Sequence, residues 1–129
     1  IPNVSETLNE FARILKPGGI ALVKEPTVSM GDWRTDRVLT PHERGIPIRL
    51  FDQFVSDAGF RVISKRRYNC QLCRAFSRLT GTAWNSSSMG LRIDRVLSVL
   101  TSVNPTYHAT HTLAKIRPAS VAYVLENKH

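Results

Sequence analysis

Residues Phe11 to Pro26 read Phe-Ala-Arg-Ile-Leu-Lys-Pro-Gly-Gly-Ile-Ala-Leu-Val-Lys-Glu-Pro. This run constrains the fold more than any other. It closes an amphipathic helix, stops it at Pro17, turns the chain on Gly18-Gly19 and launches a short apolar strand. The helix is expected over Val4 to Leu15, with Asn3 as its cap and Glu6 three residues on. Leu8, Phe11, Ala12 and Leu15 share one face of it. Ile20 to Val23 is continuously apolar, the pattern of a strand covered on both faces.

Downstream the alternation continues. Leu50 to Ala58 is a predicted helix, stopped by Gly59, and Phe60 to Tyr68 a predicted strand ending in Lys65-Arg66-Arg67. Residues 69–90 have no clear period, apart from a helical turn at Arg74 to Leu79 and N-cap serines at 86–88. Leu91 to Val103 is a predicted helix with Ile93, Val96, Leu97, Leu100 and Val103 as its inward stripe. Ala119 to Leu125 is the last predicted strand. Helix and strand alternate, so the expected class is α/β, as one domain over residues 1–129. Three strands make a small sheet with an open apolar edge, so the chain is expected to complete it with other residues or a second copy.

Composition narrows the partners. The net charge of +8, mostly from arginine, favours anionic ligands. Two cysteines make no disulfide framework, and a reducing cytoplasmic setting is expected. No apolar run approaches the roughly 18–20 residues of a membrane span. The chain opens on Ile1 without a basic-then-apolar leader, and is expected to be a partial or processed chain.

The order of motifs resembles the C-terminal half of class I S-adenosylmethionine-dependent methyltransferases. Leu8 to Gly19, ending Leu-Lys-Pro-Gly-Gly, is similar to the helix and junction before that family's strand five. Phe51 to Phe60, ending Ala-Gly-Phe, followed by Val62-Ile63, is similar to its next helix and strand six. Val121 to Asn127 resembles its strand seven. These matches cover roughly residues 4–67 and 119–128. The resemblance implies a partial Rossmann-like sheet of about three strands, the last antiparallel, with flanking helices. Residues 69–117 would be a helical, substrate-side insertion between the last two strands. It implies S-adenosylmethionine as cofactor of the complete enzyme and a small-molecule, sugar or lipid-linked methyl acceptor. The family's glycine-rich cofactor loop has no counterpart here, since Gly31, Gly45, Gly59, Gly81 and Gly90 stand alone. The chain alone is therefore expected to be inactive and to bind no cofactor.

Candidate site residues follow. Glu25 ends the first strand, and the resemblance points it at the acceptor as a general base or orienting group. His42 lies in the long segment between Pro26 and Pro47 and could move a proton. Arg44 and Arg49 could hold an anionic group, and Asp32 and Trp33 could line the acceptor pocket. Cys70, Cys73, His108 and His111 have the residue types of a zinc site but a wide gap between the pairs. The basic run Arg61, Lys65, Arg66, Arg67, Arg74 and Arg78 has only Tyr68 and Phe76 as nearby aromatics, thin support for nucleic acid. The competing functional class is a non-catalytic module that dimerises through its open sheet edge and binds an anionic partner.

Overall fold

A computed structural model describes residues 3–29, 45–81 and 86–128. The elements are α1 (Val4–Ile14), β1 (Ile20–Pro26), α2 (Ile48–Asp57), β2 (Phe60–Cys70), α3 (Gln71–Thr80), α4 (Ser88–Leu100) and β3 (Pro118–Asn127), with short 3-10 turns at Thr101–Val103 and Leu113–Lys115. The molecule is mixed α/β. No described helix is long and apolar enough to cross a membrane.

The N-terminal half forms as its sequence dictates. The Asn3 side chain accepts a hydrogen bond from the Glu6 amide, satisfying one orphan donor of α1. Gly18 takes φ +76° in the turn after Pro17. That turn is bolted to the far end of the chain: the Gly18 amide donates to the Asn127 carbonyl and the Asn127 amide to the Gly19 carbonyl. The buried Asn127 side chain also donates to the Ala12 and Leu15 carbonyls, covering the open C-terminal end of α1. Gly59, at φ +80°, turns α2 into β2.

β3 is the central strand. β1 and β2 flank it, and each runs antiparallel to it. The last strand is thus antiparallel to both of its neighbours. α1 and α2 cover one face, where Leu8, Phe51, Val55, Val121, Tyr123 and Leu125 form the core. The buried Tyr123 hydroxyl donates to Asp52, and Lys65 forms an ion pair with the same carboxylate. Burial, followed by this carboxylate, pushes the Tyr123 phenol well above its ordinary value.

The opposite face departs from expectation. The apolar run of β1 predicts cover on both sides, yet Leu22 is 79% exposed and Ile20 48%. Both lie in register with the outward line of β3, Leu22 opposite Val124 and Ile20 opposite Glu126. No described helix packs over them, so the apolar run of β1 has a partner on one side alone.

α4 is rotated relative to the predicted stripe. Its buried line is Gly90, Asp94 and Ser98, small or polar residues four apart. Val96, Leu100 and Val103, predicted to face inward, are 57%, 64% and 86% exposed. The cause is Asp94. Its carboxylate accepts the Cys70 amide at 2.7 Å and the Asn69 amide at 2.9 Å, fixing α4 against the end of β2. Asn69 sits at φ +66°, which turns its amide out of the regular ladder. Residues 71–80, where the sequence predicts a single helical turn, form a complete helix. It starts directly from β2 with no side-chain cap, which removes the usual start signal.

Candidate functional site

The carboxyl end of β1 runs into a cavity of about 120 Å³. Thr27 and Val28 bring β1 to it, Ile48 and Arg49 come from the first turn of α2, and Arg67 comes from β2. The segment before β3 contributes Tyr107 and Arg117. Backbone bonds hold these pieces together. The Ile46 amide donates to the Pro26 carbonyl, the Thr27 amide to the Ala119 carbonyl and the Ser29 amide to the Tyr107 carbonyl. The Tyr107 hydroxyl donates to the Gly45 carbonyl.

Among the described lining residues, the charged side chains are all arginines. Arg49 is exposed and makes no ion pair or side-chain hydrogen bond among the described residues. Arg67 donates one N–H to the Ser102 carbonyl. Arg117 is only 5% exposed, and burial pulls its guanidinium below the usual arginine range. It donates to the Ala114 and Tyr107 carbonyls, while its Nε has no partner among the described residues. None of the three has a carboxylate partner within the described residues. α2 adds to the same sign, because its N-terminus has no side-chain cap and no acidic residue in the first turn.

Glu25 lies on the covered face of β1, in register with Val121 and two residues before Thr27 of the cavity lining. Burial raises its carboxyl above the ordinary value. A folded pKa above the unfolded one means the folded chain holds its proton longer. Stability is therefore full below the unfolded value and falls as pH rises through the folded one. Glu25→Gln is expected to stabilise the chain at neutral pH by less than about 1 kcal/mol, given solvent screening at this half-exposed group. The gain should vanish near about pH 3, where the wild-type carboxyl is protonated. Urea unfolding at both pH values measures it, and an equal gain at both would refute burial of the charge as the cause.

The other predicted residues divide. Asp32, Trp33, His42 and Arg44 lie outside the described residues. Arg49 lines the cavity. The four zinc candidates do not assemble. Among the described residues no three His, Cys, Asp or Glu side chains come together in a metal-holding group. His111 accepts the Ala114 amide, and His108 packs edge-on against Tyr107 at 4.5 Å. Cys70 and Cys73 are free and buried. Burial, then Asp94 and Cys70, pushes the Cys73 thiol up to about 11, so it is no thiolate at neutral pH. The basic strand end is also partly consumed, Arg61 pairing with Glu126 and Lys65 with Asp52.

Arg67 and Arg117 line the cavity, though the sequence singles out neither for an acceptor pocket. Arg67 is legible there only as one of a run of cations. For Arg117 the signal is a lone cation between Ile116 and Pro118 at the mouth of a buried strand.

A larger groove of about 790 Å³ lies on the face opposite α1 and α2, between β2 and α4. Tyr68, Ala122, Leu91 and Val99 make its apolar lining, beside Arg66 and Arg95. Comparison of the chain with protein-family models, with curated proteins and with solved structures returns no match.

Proposed function

We propose that this chain is the substrate-facing half of an S-adenosylmethionine-dependent methyltransferase whose cofactor-binding half lies outside these 129 residues. The observation that carries the reading is the exposed apolar surface on β1 and α4. β1 exposes Ile20 and Leu22, and α4 exposes Leu91, Val96, Val99 and Leu100, all 48% or more. No other described strand pairs with the outer side of β1. Such a face and edge are costly to leave in water and call for further strand and helix cover. The Leu-Lys-Pro-Gly-Gly junction leads into that very strand, and the last strand is antiparallel, both in keeping with the resemblance.

The described residues do not fit the cofactor. Gly18-Gly19 is tied to Asn127, and Gly59 and Gly81 are single turn positions. Among the described residues no clustered-glycine loop can approach a ligand. What the chain offers is the acceptor side. Glu25, its carboxyl raised by burial, sits at the strand end where open α/β sheets place their ligands. Its role is to take or hold the acceptor's proton. In the complete enzyme, Glu25→Gln should lower kcat by about 10²–10⁴-fold with cofactor binding intact. Undiminished kcat would remove Glu25 from the reaction. A second copy of the chain is the competing cover for the bare face. Sedimentation of the chain decides that point, since a stable dimer burying Leu22 would favour the binding-module reading.

A further inference from the structure

Arg117 is a charged group with almost no contact with water and no counter-ion among the described residues. Burying an unpaired charge is expensive. A guanidinium carries five N–H donors. Two are used, on the Ala114 and Tyr107 carbonyls, and Nε is left without a partner among the described residues. Arg67 lines the same cavity and spends one donor among the described residues, on the Ser102 carbonyl, and Arg49 adds a third cation from the uncapped first turn of α2. A helix N-terminus and a guanidinium fork both suit an oxyanion.

We propose that the cavity between the end of β1, the first turn of α2 and the segment before β3 binds a phosphate-type oxyanion, held by Arg117, Arg67 and Arg49. The volume of about 120 Å³ suits a group of that size, roughly four waters at about 30 Å³ each. An anion here neutralises Arg117 where it is buried and gives α2 the cap its sequence omits. The site stands on its own geometry and does not require the methyltransferase reading. If both hold, the oxyanion belongs to the methyl acceptor, with Glu25 near the end of β1, two residues before Thr27.

The test is the thermal midpoint of the full chain in inorganic phosphate, glycerol 3-phosphate or acetate, against chloride at matched ionic strength. At about 20 mM, a site of sub-millimolar affinity should raise Tm by about 5 °C or more, because the ligand binds only the folded state. Amide resonances of Ile48, Arg49 and Thr106 should move with the same ligand. Arg49→Glu places a carboxylate in the first turn of α2, so it should not lower the unliganded Tm and should abolish the phosphate shift. Arg117→Gln should abolish it too, and if that variant fails to fold, Arg49→Glu decides alone. A larger shift with glycerol 3-phosphate than with phosphate identifies a phosphomonoester as the source. No phosphate shift, an equal shift in Arg49→Glu, or a response to acetate alone would overturn the proposal. Phosphate protection without any cofactor binding in the complete protein would leave this site standing and sink the methyltransferase reading; the reverse result would do the opposite.

Discussion

Gly45→Ala should cost about 2–3 kcal/mol and lower Tm by about 10 °C. A Cβ at Gly45 would lie 2.1 Å from the Val28 carbonyl oxygen, 2.9 Å from the Val28 carbonyl carbon and 3.0 Å from the Pro26 carbonyl oxygen. All three atoms are backbone, so no rotamer relieves the clash. Two pieces of chain must separate. That separation strains the hydrogen bond from the Ile46 amide to the Pro26 carbonyl, 2.8 Å long, and the one from the Tyr107 hydroxyl to the Gly45 carbonyl. Because these bonds wall the arginine cavity, the variant should also lose its phosphate response. Gly81→Ala is the control. Gly81 has φ +65° and nothing within 4 Å of where a Cβ would sit, so only backbone strain of about 1 kcal/mol applies. Equal loss in the two variants would mean that the close approach at Gly45 is not what the position requires.

Asp94→Ala is expected to cost about 3 kcal/mol in urea unfolding. Each bond from a backbone amide to an ionised carboxylate contributes about 1.5–3 kcal/mol, and the orphaned amides remain near the protein interior. Cys70 is fully buried, so its amide has no ready replacement from water. Asp94→Asn should cost roughly half as much, because one acceptor oxygen survives. A second readout is the Cys73 thiol. Burial contributes most to its raised pKa, but Asp94 is the next cause, so Asp94→Ala should bring it down and speed its alkylation at fixed pH. Stability within about 0.5 kcal/mol of wild type would show that α4 is held by its packing and not by this carboxylate.

Element ends are legible in the sequence where local chemistry decides the backbone. Asn3, Pro17-Gly18 and Gly59 mark them through capping and φ preferences that need no distant partner. Burial is less legible, because it depends on what else is present. An apolar stripe predicts an inward face, which would put Val96, Leu100 and Val103 in the core. In α4 the contact with β2 is instead made by Asp94 through backbone amides, and the apolar residues are left outward. The same dependence applies to β1, whose apolar run implies two covered faces and whose second cover is not among the described residues. Arg117 shows in the sequence only as a cation before the last strand, with nothing periodic around it to mark a site. Its meaning comes from the folded cavity, where carbonyls of Ala114 and Tyr107 fix it beside Arg67. The zinc pattern fails on distance in the chain: equal spacing within each pair says nothing about whether the pairs meet.

Whether the bare face of this sheet belongs under a cofactor-binding half is tested most directly by calorimetry. S-adenosylhomocysteine is titrated into this chain and into the product of the same reading frame extended upstream. The expected result is no heat from the folded chain alone and binding at about micromolar strength, near −8 kcal/mol, in the extended protein. Binding by the chain alone would show that it builds its own donor site. No binding by either would contradict the methyltransferase reading altogether.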